Sequence, residues 1–202
     1  MRHKLVFWSV FVFSITSIAM AQGMGTRAIT FTVAGTNVQT RLYYPVPTAT
    51  PPTRFGPWTL PARANAPLAQ GTYPLVVISH GLGGNAWGHR LLAETLVKAG
   101  FIVGAVEHPE DLYRLTRPEL HSLRPIELNR SIDAILADST VGPTIDHSRI
   151  GAFGFSQGGL TVLRSVGGRV DQQAAQKHCN ANADRDPMFC AIGTTIEAGH
   201  LE

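Results

Sequence analysis

The sequence predicts an α/β fold: a mostly parallel sheet that opens with an N-terminal β-hairpin and carries helices on both faces. Three observations lead there. Leu75 to Ser79, Phe101 to Val106 and Arg149 to Phe155 are short apolar runs, the pattern of strands buried on both faces. The stretches from Trp87, Pro125 and Gln157 onward place apolar residues at helical spacing. The chain has 202 residues, 44% hydrophobic and 15% charged, which suits one domain with its own core and is too apolar for wholesale disorder.

At the N-terminus, Arg2, His3 and Lys4 precede an apolar run from Leu5 to Ile18, and Ala19-Met20-Ala21 supplies small residues ahead of Gln22. This is the three-part layout of a secretory signal peptide, residues 1–21. The run is about 15 residues, short of the roughly 20 that span a bilayer, so a signal is expected rather than an anchor. Removing it lowers the formal charge from +3 to +1, 15 basic residues against 14 acidic. That balance gives no case for nucleic acid, and no membrane span is expected once the signal is gone. The mature chain is expected to be exported, periplasmic or secreted, in an oxidising compartment.

Residues 22–202 read as one domain. Ile29, Phe31 and Val33 alternate with polar neighbours, Gly35-Thr36-Asn37 supplies turn residues, and Val38 to Tyr44 alternates again, which predicts a hairpin. Residues 45–74 hold prolines at 45, 47, 51, 52, 57, 61, 67 and 74. Proline lacks an N–H and fixes φ, so a long loop is expected, pinned by Phe55 and Trp58. After the strand at Leu75–Ser79, the residues Leu91, Leu92, Thr95, Leu96 and Ala99 predict a helix stopped by Gly100. Phe101 to Val106 is the second buried strand, and a polar loop runs from Glu107 to Leu123. Pro125 then opens a helix carrying Ile126, Leu128, Ile132, Ile135 and Leu136. Arg149 to Phe155 is the third strand, and Gln157 to Val166 a helix closed by Gly167-Gly168. Farther on, only Asp171 to Lys177 reads as helical.

The chemistry concentrates at two glycine-rich junctions. Gly154-Phe155-Ser156-Gln157-Gly158 is a G-x-S-x-G motif where a strand runs into a helix, the setting of a nucleophile elbow. A turn that sharp needs glycines beside the serine, and the helix N-terminus offers N–H groups to developing negative charge. Ser79-His80-Gly81-Leu82-Gly83-Gly84 follows the first buried strand, where an H-G-x-G-G run supplies the other wall of an oxyanion hole. Ser156 is therefore the expected nucleophile, and the backbone N–H groups of Leu82 and Gln157 the expected oxyanion donors. His80 is expected to brace its loop, with lining of a substrate site as the alternative for His80 and Gly81. Glu107 and His108, at a strand end where active-site loops gather, read either as cleft residues or as plain surface loop.

In this order, SHGLGGN, GFIVGAVEHPED and GAFGFSQGG resemble the α/β-hydrolase superfamily, and within it the platelet-activating-factor acetylhydrolase and dienelactone hydrolase-like branch of exported bacterial esterases. The resemblance runs from about Arg27 to Cys190. It implies an α/β-hydrolase fold, Ser156 as nucleophile, Leu82 and Gln157 as oxyanion donors, no cofactor, and a small ester as substrate. Dienelactone hydrolases proper carry a cysteine nucleophile; the serine here favours the esterase side.

A serine hydroxyl needs a histidine to take its proton and an acid to hold that histidine, and in this superfamily the order is Ser, acid, His. After Ser156 the acids are Asp171, Asp184, Asp186, Glu197 and Glu202, and the histidines His178 and His200. His178 precedes Asp184 and Asp186 in a chain segment without strand pattern, and His200, close to the last residue, is the candidate base within the sequence. The expectation is an incomplete, C-terminally truncated hydrolase domain whose triad acid and base lie past residue 202. The function expected is exported hydrolysis of small carboxylic esters through an acyl-serine; an inactive remnant or binding module on the same fold, and an acyltransferase, are the alternatives. Cys179 and Cys190 are expected to pair as a disulfide, and the spacing of His178 and the cysteines does not predict a metal site.

Overall fold

The computed structural model describes residues 23–109 and 120–193. The signal-peptide segment 1–21 and His200 lie outside the described residues.

Strands β1 (Gly23–Val33) and β2 (Thr36–Val46) form the hairpin, antiparallel from Gly23↔Val46 to Val33↔Thr36. Its turn is Ala34-Gly35, with φ of 46° and 79°. Positive φ at both central residues matches the right-handed twist of the flanking strands, so Thr36 and Asn37, expected in the turn, enter β2 instead.

The proline-rich stretch is only partly loop. It contains β3 (Thr53–Phe55), β4 (Trp58–Leu60) and β5 (Ala62–Ala64). β3 and β4 make a small hairpin, and β5 runs parallel to β1 at the edge of the main sheet. Prolines 47, 51, 52, 57, 61 and 67 fall between strands, while Pro45 lies in β2 past its last pairing with a second neighbour. A residue without an N–H is tolerated where no ladder bond is needed. Phe55 stacks on Trp87 (5.5 Å between centroids) and Arg90 lies 4.2 Å above the Trp58 ring, which pins the insertion to the body.

The body follows the expected order: β6 (Tyr73–Ser79), α1 (Arg90–Lys98), β7 (Ile102–Glu107), α2 (Leu120–Ala137), β8 (Ile145–Gly154) and α3 (Gln157–Ser165). The sheet order is β5-β1-β2-β7-β6-β8, with β7, β6 and β8 mutually parallel. Pro74 sits at a register shift between β6 and β8, again where a ladder bond is missing. α1 ends with Gly100 at φ 85°, the N–H groups of Gly100 and Phe101 bonding back to Val97 and Leu96. α2 begins at Leu120, earlier than expected, so Pro125 is inside the helix rather than at its first position.

Alternation along each central strand separates two cores. Leu42, Leu75, Val77, Ile102 and Val106 face α2, packing with Leu128 and Ile135. Tyr43, Ile78, Val103 and Ala105 face α1, packing with Ala93 and Val97. Each fully buried aliphatic side chain contributes about 1.5–3 kcal/mol. Thr40 in β2 and Ser131 in α2 share a buried hydroxyl–hydroxyl bond of 2.7 Å that fixes α2 on its face. The last elements, α4 (Gln172–Asn182) and α5 (Pro187–Gly193), pack on each other and are joined by Cys179–Cys190, Cα atoms 5.4 Å apart.

Candidate active site

The end of β8 and the start of α3 build the first half of the site. Between them Ser156 adopts φ 52°, ψ −119°, a conformation that costs a residue with a Cβ about 1–3 kcal/mol. Ser156 is solvent-exposed at the N-cap of α3. The bend brings backbones together: a Cβ on Gly154 would meet the Gly158 carbonyl oxygen at 2.0 Å, and one on Gly158 would meet the Ser79 carbonyl oxygen at 2.0 Å. Both glycines of the motif are thus required by close approach rather than by φ. The N–H of Phe155 donates to the Ser79 carbonyl (3.2 Å), and Gly158 donates back to Phe155 (2.8 Å).

The second half is the loop leaving β6. Gly81 is buried, and a Cβ there would lie 3.1 Å from the Phe155 ring, so this loop and the elbow abut. Gly83 takes φ 69° and the Gly84 N–H closes a turn on the Gly81 carbonyl (3.0 Å). Leu82, at the tip, is 42% exposed. Gln157 is the first residue of α3. The structure therefore brings Ser156, Gln157, Gly81 and Leu82 into one junction. His89, just before α1, joins them: its ring lies 5.6 Å from the Phe153 ring and 5.8 Å from that of Phe155, and burial lowers its pKa. With Leu82, Phe153 and Phe155 it gives the junction an apolar, aromatic wall.

Other expected residues sit differently. His80 and His108 are buried, 2% and 0% exposed, and do not line an open cleft. The physical reason is hydrogen bonding: each ring is enclosed by polar partners beneath the loop. Glu107, half-buried, accepts the Ala86 N–H at 2.7 Å and holds the far end of the same loop. His178 is in α4, 3.2 Å from Asp186 and edge-on to Phe189. Asp171 caps α4 by accepting the Ala174 N–H. Among the described residues no histidine hydrogen-bonds to Ser156, and no three His, Cys, Asp or Glu side chains converge as metal ligands.

The sequence reading missed three buried polar residues below the loop. Ser79 Oγ lies 2.9 Å from His108 Nε2, His108 Nδ1 lies 2.5 Å from Glu127 Oε2, and Arg124 reaches both Ser79 Oγ (3.3 Å) and the His80 carbonyl. Arg124, Glu127 and Ser79 are 1%, 3% and 0% exposed. A signal existed: Arg124 and Glu127 are three apart in a helix whose neighbours Leu128 and Ile135 are core, and charges on a buried face need partners. Burial and the charge of Arg124 hold His108 well below the usual histidine range, and burial above all pushes His80 down to about 4.

Residues 48–116 match the family model of platelet-activating factor acetylhydrolase, isoform II, a segment that includes the Ser79–Gly84 loop and stops before the elbow. A platelet-activating factor acetylhydrolase of Canis lupus familiaris is 47% identical over 55 residues, 27% of this chain and 12% of that protein. Cutinase est1 of Thermobifida alba is 33% identical over 111 residues, 54% of this chain and 36% of that protein. The chain thus spans well under half the length of these curated relatives. A ferulic acid esterase structure from Streptomyces cinnamoneus superposes with a TM-score of 0.60 at 21% identity, covering 74% of this chain and 56% of that one. A dienelactone hydrolase-like promiscuous phosphotriesterase from metagenomic libraries gives 0.52 at 18% identity, covering 71% and 54%. The chain has the α/β-hydrolase fold and is similar to esterases built on it.

Proposed function

We propose that the chain is an exported serine hydrolase of small carboxylic esters. The observation that carries this reading is the strained, exposed Ser156 at the strand–helix bend. In the proposed cycle the Ser156 hydroxyl oxygen attacks the ester carbonyl while its proton passes to a histidine base. The tetrahedral oxyanion accepts from the N–H groups of Leu82 and Gln157, aided by the positive end of α3; each such donor typically contributes about 2.7–4 kcal/mol of barrier lowering. Collapse breaks the ester C–O bond, the proton moves to the departing alcohol, and an acyl-Ser156 remains. Water then attacks the acyl carbon, losing its proton to the same base and releasing the acid. The base is a histidine outside the described residues, for which His200 is one candidate. The apolar wall of Leu82, Phe153 and Phe155 suits a short acyl or aryl group, in keeping with relatives named cutinase and ferulic acid esterase. Export rests on the signal-like segment 1–21.

A second reading, a non-catalytic member of the fold, is favoured by one observation: among the described residues Ser156 has no histidine partner. Turnover of p-nitrophenyl acetate separates the two. The hydrolase reading expects turnover that vanishes in Ser156→Ala; loss in His200→Ala as well would identify His200 as the base. Folded protein without turnover favours the second reading, and turnover that survives Ser156→Ala overturns the first.

A further inference from the structure

Beneath the loop bearing Leu82 the protein holds a buried Ser–His–acid series, Ser79, His108 and Glu127. One arrangement of its protons satisfies every group. Glu127 accepts from His108 Nδ1–H, so His108 Nε2 accepts from the Ser79 hydroxyl. Ser79 Oγ in turn accepts from Arg124, which also donates to the His80 carbonyl. His80 Nδ1–H donates to the Gly81 carbonyl (2.8 Å), and His80 Nε2 accepts the backbone N–H of His108 (3.3 Å). The two rings pack edge to face at 4.9 Å. Both imidazoles are satisfied as neutral Nδ1–H tautomers; a proton added at His80 Nε2 would face the His108 N–H, and one at His108 Nε2 would leave the Ser79 hydroxyl proton without its acceptor.

The geometry points to Ser79, His108, Glu127 and Arg124 as positioning residues: a buried relay that ties α2 to the carbonyls of His80 and Gly81 and so sets where the Leu82 N–H lies. Because no substrate reaches Ser79 or His108, the relay does not act on a substrate itself. Its importance for catalysis rests on the hydrolase reading, in which Leu82 is an oxyanion donor; its existence does not. Among the described residues, the charged and titratable groups facing His108 are Glu127, Arg124 and His80. The first is held by hydrogen bonding to His108, and burial with the Arg124 charge keeps both histidines neutral.

Nitrogen–proton NMR of the histidine side chains in the full chain tests the relay without any activity. The expected result is a His108 ring locked as the neutral Nδ1–H form from pH 5 to 8. In Ser79→Ala the Gly84 amide, bonded to the Gly81 carbonyl, should exchange roughly tenfold faster while the β1–β2 hairpin is unchanged; Ser79→Thr, which keeps the hydroxyl, should restore it. Labelling of Ser156 by a fluorophosphonate should slow by a similar factor in Ser79→Ala and recover in Ser79→Thr. A His108 ring that titrates in the ordinary range, or an Nε2–H tautomer, overturns the relay even if every variant unfolds. Wild-type exchange at Gly84 in folded Ser79→Ala overturns the positioning role. Failure of the wild type to label, with the NMR result intact, removes the hydrolase reading and leaves the relay.

Discussion

Replacing Gly158 by alanine forces a methyl group into backbone. Its Cβ would lie 2.0 Å from the Ser79 carbonyl oxygen, 2.7 Å from the Ser79 carbonyl carbon and 2.9 Å from the His80 carbonyl oxygen. No flexible side chain is there to swing aside, and the end of β6 is held on both sides by β7 and β8. Ordinary contact begins near 3.4 Å, so α3 must retreat from β6 by about 1.4 Å. Overpacking of this kind costs about 3 kcal/mol, the upper part of the usual range. In a chain of this size each kcal/mol lowers Tm by roughly 2–4 °C, giving a fall of roughly 6–12 °C. Gly151→Ala is the matched control: it is on β8, and its added Cβ meets nothing within 4 Å. Thermal unfolding followed by circular dichroism compares the two. If Gly158→Ala melts with Gly151→Ala and the wild type, the close packing of elbow on strand is wrong, and with it the reason the motif needs its glycines.

Three further outcomes follow from the same packing. Asp138 accepts from the N–H groups of Thr140 and Val141 and pairs with Arg27; although burial opposes it, these partners hold its pKa below the usual carboxylate value. Asp138→Asn should cost about 1–2 kcal/mol in urea unfolding at pH 7, and the difference should shrink as the pH falls through the carboxylate range, because the depressed pKa stabilises only above it. His80 protonates near 6.5 when unfolded but only at about 4 when folded, so stability should drop as pH falls from 6.5 towards 4 and stay level above. In His80→Asn that slope should flatten without vanishing, since His108 shifts the same way; a wild type equally stable at pH 7 and pH 5 contradicts both assignments. Reducing Cys179–Cys190 opens a loop of sequence separation 11 and removes about 3 kcal/mol of restraint in the chain-entropy model. Amide exchange should rise across α4 and α5 and stay unchanged in the sheet; a loss of protection in β6 or β7 would show that the helical pair supports the core.

The body of the fold was legible because β6 and β7 are buried on both faces and the helices on one, so periodicity alone separates Leu75–Ser79 from Leu91–Ala99. The apolar run Arg149–Phe155 reads the same way but belongs to β8, which stands at the sheet edge with Gly151–Phe153 exposed. The elbow was legible because glycine spacing reports close backbone approach, and Gly154 and Gly158 have backbone at 2.0 Å where a Cβ would be. The proline-rich stretch misled because proline forbids only a ladder bond at its own nitrogen; Thr53–Phe55, Trp58–Leu60 and Ala62–Ala64 fit between the prolines. The start of α2 was placed too late for a related reason, since Pro125 is compatible with a helix first position and equally occurs, at a cost, in its second turn. His80 and His108 gave no sign of their depth. A histidine after a buried strand looks alike whether it faces solvent or a buried carboxylate, and the carboxylate of Glu127 arrives from a helix 19 residues later.

Intact-mass analysis after treatment of the folded chain with a fluorophosphonate, followed by peptide mapping, tests whether the bend at Ser156 makes its hydroxyl reactive. The expected result is a single adduct on Ser156 that is lost in Ser156→Ala. No adduct on the folded protein, or an adduct on any other serine, contradicts the assignment of Ser156 as the nucleophile.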